Sequence, residues 1–174
     1  MKPLKEATHD KQKAAERMPF NVKMFKGQLT KKQYGWYLRS QLAIFQTLEE
    51  NFEFPHEGLK RVEAVLFDLM SLGINELVPD LATREYCDYL KGLSQEDANA
   101  HIYLNYLAIM FGGQMMKKNT PGPGKMYDFE NMRESMESVR AIQKDEWADE
   151  VNKGFDFMIE IFRNLEGTFT YPRD

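Results

Sequence analysis

Two adjacent glycines, Gly112 and Gly113, sit inside the most apolar stretch of the chain, AHIYLNYLAIMFGGQMMKK from Ala100 to Lys118. The stretch otherwise reads as one helix, and a glycine in a helix interior costs about 1 kcal/mol relative to alanine. Met110, Phe111, Met115 and Met116 flank the pair, and the next strong breaker is Pro121. No turn signal accounts for the pair. It either kinks the helix or offers bare backbone to a close neighbour. On the plainer reading the pair marks a tight helix–helix crossing or a local break; on the sharper one it receives a large flat ligand.

The remaining pattern is helical almost throughout. A charged, alanine-containing segment runs from Leu4 to about Glu16, where Pro19 interrupts it. Thr30 with Gln33 three residues later is a capping-box signature for a helix whose apolar face is Tyr37, Leu38, Gln41, Leu42, Phe45 and Leu48. Val62, Val65, Leu66 and Leu69 recur at helical spacing, with Gly73 as the cap that ends the segment. A short helix from Thr83 to Leu93 precedes the glycine-pair helix. Asn119 to Lys125 is a loop, since two prolines and two glycines forbid regular structure. Two further helices span about Asn131 to Gln143 and Asp145 to Glu166, followed by a frayed tail. No alternating β-branched run suggests a sheet, so the expected fold is an all-α bundle.

Composition then removes whole classes of function. At 174 residues the chain is read as a single domain, 1–174, able to bury a real core. A net charge of −4 without a basic block argues against a nucleic-acid binder. The single cysteine, Cys87, leaves no internal disulfide and no cysteine-based metal site. No apolar run approaches the ~20 residues that span a bilayer, and the charged N-terminus lacks a signal-peptide pattern. The expectation is a cytoplasmic protein that engages neither membrane nor nucleic acid.

Three separated motifs carry a resemblance. LKEATHDKQKAAE near the N-terminus, with KGQLT from Lys26 to Thr30, is similar to the proximal-helix segment of the heme oxygenase family. AHIYLNYL followed by GGQMMKK resembles that family's distal helix, and GFDFMIEIFRNLE resembles its last core helix. The motifs occur in the family's order over nearly the whole chain. The resemblance implies a heme oxygenase-like helical bundle, with heme between the first helix and a kinked Gly-Gly distal helix. Heme would be both substrate and cofactor, opened with dioxygen to biliverdin, iron and carbon monoxide. Bare backbone at Gly112 and Gly113 would lie close to the porphyrin and leave room for dioxygen.

Two positions depart from the family pattern. Gln12 occupies the place of the axial histidine, and an amide oxygen is a poor substitute for an imidazole at heme iron. Glu16, one turn later, matches a glutamate that supports that histidine. His9 lies about 4.5 Å back along the same helix face and is the candidate replacement ligand. A solvated His9, or a substitution at position 12 that removes the ligand, are the other readings. On the distal side, Ile109 stands where many members carry an aspartate that orders water, and isoleucine can relay no proton. Asn105, Tyr37 and Gln41 are the candidates to hold water instead.

By the same resemblance Lys5 and Tyr103 anchor the heme propionates, which need cationic or hydrogen-bonding partners when desolvated. Arg133 and Arg140 lie in the segment that supplies further basic contacts. Phe155 and Phe162 form the pocket wall, and His101 is a hydrogen-bonded structural histidine. The implied partner is a soluble electron donor, ferredoxin, with Lys23, Lys26, Lys31, Lys32, Lys117 and Lys118 as its basic docking patch. A bilin reductase would follow, and the family resemblance leans to a monomer. Two other classes compete. One is a non-catalytic heme or bilin binder, favoured by Gln12 and Ile109. The other is a cofactor-free hydrolase of thiaminase type, which would need a partner for Cys87.

Overall fold

A computed structural model describes residues 1–167. The tail expected to fray lies, beyond Gly167, outside the described residues. Among the described residues all regular structure is helical. The chain begins with α1 (Leu4–Ala7), α2 (His9–Glu16) and α3 (Pro19–Phe25). The expected first helix is therefore broken at Thr8, whose hydroxyl folds back to donate to the Leu4 carbonyl. Pro19 does more than interrupt. It opens α3 at the first helical position, where its missing N–H is no loss.

The long central helix is α4 (Lys31–Asn51), and both hydrogen bonds of the Thr30–Gln33 capping box form. Its inward face, including Leu38, Leu42, Phe45 and Leu48, lies at the centre of the core. α5 (Val62–Ser71) closes with Gly73 at φ 73°, where the Gly73 and Ile74 amides donate to the Met70 and Leu69 carbonyls. α6 (Leu81–Lys91) is capped by Asp80 and packs, like α5, along α4.

At the glycine pair the structure has the local break of the plainer reading, and the kink expected of the distal helix gives way to it. The apolar run is two helices, α7 (Gln95–Met110) and α8 (Gly113–Asn119), instead of one kinked helix. Phe111 is extended, and Gly112 adopts the left-handed conformation at φ 70°. A side chain there costs about 1–2 kcal/mol, so glycine removes a penalty at this position rather than adding one. The pair is thus a chain break.

After a 3-10 turn at Lys125–Tyr127 come α9 (Met132–Ile142) and α10 (Ala148–Glu166), the latter entered through a 3-10 turn at Asp145–Trp147. α10 packs against α2, α3, α4, α6 and α7. It is the floor on which the walls of the site stand.

Candidate functional site

α2 and α7 both lean on α10. A small apolar cluster joins them at one end, where Leu4 and Ala15 meet Ala100, Leu104 and Phe155. At the other end Phe20 of α3, Tyr37 of α4 and Phe162 of α10 stack with centroids 6.2–6.4 Å apart. Phe155 thus lies in the smaller apolar cluster and Phe162 in the main core, both on α10. The ring of Tyr37 belongs to this stack, and burial raises its phenol well above the ordinary value.

The break carries the most telling exposure. Phe111 and Met115, on either side of the glycines, remain 54% and 52% exposed, and Phe25 at the end of α3 is 49% exposed. Ala108 and Gly112 are exposed with them. A Cβ added to Gly112 would meet no atom within 4 Å. Gly113 differs: it is buried, and a Cβ there would lie 3.3 Å from Cδ1 of Tyr127. One glycine faces open space; the other is pressed from behind.

On α2, Gln12 is half-buried and donates from Nε2 to Glu16 Oε2 at 3.1 Å. The two side chains share one face, as the spacing required. His9 is exposed. Lys5 is exposed on α1, next to Leu4, whose amide is held by Asp145 at 2.9 Å. Tyr103 is half-buried against Trp147, and burial raises its phenol while nearby Arg140 opposes the shift. Arg140 itself lies over the Phe111 ring at 5.7 Å, so it stands beside the break. Arg133, two turns earlier on α9, is 91% exposed and pairs with Glu137. The structure thus groups Tyr103, Arg140 and Phe111, and leaves Arg133 in solvent.

Ile109 is buried in the main core next to Met110. Asn105 is turned inward, with one amide donor on the Tyr86 hydroxyl at 3.0 Å and one on the His101 carbonyl at 2.9 Å. It belongs to a buried polar network. His101 Nδ1 faces the Tyr86 hydroxyl at 2.7 Å, and Nε2 faces Glu150 Oε1 at 2.9 Å. A neutral ring that donates from Nε2 and accepts at Nδ1 satisfies both partners. Burial holds the His101 pKa below its ordinary value. Burial also pushes the Glu150 carboxyl up, but bonds from Tyr89 and His101 leave it lower overall.

These residues allow a test of fit to heme. The apolar floor, the bare backbone at Gly112 and its exposed apolar neighbours suit a flat hydrophobic macrocycle. Gln12 would offer an amide oxygen to heme iron, a poorer ligand than an imidazole nitrogen.

Sequence reasoning missed Tyr127, which presses on Gly113, and Arg61 and Asp68, which hold Tyr127's segment in place. A carboxylate in the midst of VLFDLM, three residues after the core position Val65, was the available signal.

The described residues form an all-helical bundle with exposed apolar side chains beside a glycine break. The heme oxygenase family profile matches residues 1–164. Heme oxygenase 1 of Bos taurus is 26% identical over 206 residues, covering 96% of this chain and 71% of the bovine protein. A heme oxygenase of Guillardia theta is 23% identical, covering 95% of this chain and 86% of its own length. The crystal structure of heme oxygenase-1 from the cyanobacterium Synechocystis, in complex with heme, shares the fold with a TM-score of 0.84. It is 23% identical and covers 96% of this chain and 92% of its own. This chain belongs to the heme oxygenase family, and heme-degrading chemistry is the function that membership supports.

Proposed function

We propose that this chain is a heme oxygenase and that the slot between α2 and the α7–α8 break receives heme. The observation that carries the reading is the break itself: a left-handed Gly112 with open space at its Cβ position, set among exposed Phe111, Met115 and Ala108. The reaction's redox chemistry is carried by heme, which dioxygen and donated electrons open to biliverdin, iron and carbon monoxide.

The chain's own residues bind and orient. Gln12 presents its amide on the proximal face, steadied by Glu16. Gly112 lets backbone approach the opposite face. Phe155 and Phe162 form the apolar floor. Lys5, Tyr103 and Arg140 pair with the propionates at the rim, while Arg133 contributes only surface charge. Ile109, buried in the main core, offers no group that relays a proton, so the proton needed on the distal side comes from solvent at the exposed break. Asn105, with both amide protons committed, is a positioning residue for α7.

Family membership supports a redox partner. We further infer a soluble ferredoxin as donor, and a bilin reductase as acceptor of the product. No acidic residue occurs from residue 17 to 48 or from 98 to 127, although the whole chain is net negative. These two segments meet where α3 packs on α8, tied by the Asn119 amide on the Phe25 carbonyl at 2.7 Å. Lys26, Lys31, Lys32 and Lys118 are exposed there, whereas Lys117 is paired with Asp128. This basic face suits an acidic partner. Among the described residues no helix is long and apolar enough to cross a membrane. A monomeric, single-domain cytoplasmic enzyme, residues 1–174, fits these features.

The test is a heme titration followed by absorbance, then ferredoxin, its reductase and NADPH added to the same cuvette. A Soret band that forms and decays into a biliverdin spectrum supports the enzyme. A band that forms and persists identifies a binder. No band overturns the slot.

A further inference from the structure

The break at Gly112 is held from outside the slot, by a strut that begins on α5. Asp68, almost fully buried, accepts from the amides of Lys125 at 2.8 Å and Met126 at 2.9 Å. Arg61, at the start of α5, donates to the carbonyls of Met126 at 3.2 Å and Asp128 at 2.7 Å. The same guanidinium lies 3.7 Å over the Phe129 ring and reaches the Gly58 and Leu59 carbonyls. Donor and acceptor groups of one short segment are thus fastened to the same helix. Between the fastened points stands Tyr127, 2% exposed, its ring at the back of Gly113.

A buried cation bound mainly to carbonyls and a buried carboxylate bound to amides are costly elements unless fully satisfied. Burial lowers the Arg61 pKa and raises that of Asp68, as expected of charged groups taken out of water. A hydrophobic pair would hold a loop more simply, but would not fix its register to single amides and carbonyls. Register matters here because Tyr127 has a specific target. A shift of one residue would turn the ring away from Gly113 and leave the first turn of α8 without a backstop. Lys117 of α8 adds a second tie, 2.5 Å from Asp128.

We propose that Asp68 and Arg61, acting through the ring of Tyr127, are positioning residues for the distal break, setting how far the backbone at Gly112–Gly113 stands from the slot. This rests on the heme reading only for its consequence in the reaction; the mechanical linkage stands on the strut itself.

The experiment uses the full chain in four forms: wild type, Tyr127→Phe, Tyr127→Ala and Asp68→Asn. Amide hydrogen exchange is followed in the heme-free protein over residues 110–116, with α4 as the internal reference. Tyr127→Ala and Asp68→Asn each speed exchange at 110–116 by about tenfold or more, while Tyr127→Phe stays near wild type because only the ring is needed. In Asp68→Asn the change appears in residues 124–128 and in 110–116 together. Exchange that rises at 124–128 and stays fixed at 110–116 overturns the proposal, as does a Tyr127→Phe variant that behaves like Tyr127→Ala. Should Tyr127→Ala unfold globally, seen as faster exchange in α4, Asp68→Asn alone decides. With heme added, the two loosening variants shift the Soret band and the ratio of bilin isomers, with Tyr127→Phe restoring both. Failure of wild type to take up heme would sink the proposed function while the exchange result still decides the strut.

Discussion

The two walls of the proposed slot are built to different standards. On the proximal wall, α2 buries one of its eight residues, Ala15, and Gln12, Glu16 and His9 stand partly or wholly in solvent. On the distal wall, α7 buries ten of sixteen, and the break that follows is backed by Tyr127 and the α5 strut. A wall that must present backbone at a set distance needs support from behind. A wall that presents one side chain needs only a helix face. A substitution at the half-exposed position 12 should therefore leave the fold undisturbed.

The comparison breaks most readily at Gly113. Gly113→Leu drives a branched side chain into Tyr127, and overpacking of this kind costs about 1–3 kcal/mol. Heme uptake or ring opening should be abolished; normal turnover in that variant would remove the backbone-contact argument. Gly112→Ala is the next largest change. It meets no neighbour but must adopt φ 70°, so chemical denaturation should show a loss of about 1–2 kcal/mol, with heme affinity falling less than in Gly113→Leu. Equal effects at both glycines would erase the distinction between strain and contact.

The polar network behind α7 sharpens the contrast through pH. His101 has a folded pKa below its unfolded value, so the unfolded chain binds the extra proton. Its contribution is fully present above about pH 6.5 and is lost as pH falls below it, with a slope approaching about 1.4 kcal/mol per unit. Unfolding measured from pH 7 to 5.5 should show this decline, and His101→Asn should flatten it. A decline of the same slope in the variant would assign it to another group.

The smallest effect on stability belongs to the proximal wall. Gln12→His should change unfolding free energy by less than about 0.5 kcal/mol, as for other surface positions. Its heme complex should nevertheless acquire the low-spin or mixed-spin spectrum of an imidazole ligand. An unchanged spectrum would mean that His9 already ligates.

The same contrast governs what could be read from the chain. Helix faces on α4 and α5 were legible because a 3.6-residue period and the Thr30–Gln33 cap are local signals. The glycine pair was legible as an anomaly, open to a kink, a crossing or a break, and the choice was not, because the ring behind Gly113 belongs to Tyr127, fourteen residues later. Gln12 beside Glu16 followed from spacing alone. Arg140 and Arg133 could not be told apart, because only packing of α9 near Phe111 places one at the break and the other in water. Asn105 read as a candidate to hold water until the Tyr86 hydroxyl of α6 and the His101 carbonyl one turn earlier on α7 claimed its protons. Position within a helix is written in the neighbours along the chain; occupation by a partner is written elsewhere.

α10 comes last among the described elements, yet it is the helix that α2, α3 and α7 share. The Asn152 amide reaches the Ala7 carbonyl, and Lys11 reaches Asp156, each across 145 residues of chain. During synthesis the walls of the slot leave the ribosome well before the element that joins them, so they wait with apolar faces unburied. Capture of a ligand between them is accordingly an event of the finished chain, and a premature stop ahead of Phe155 would leave no slot to fill.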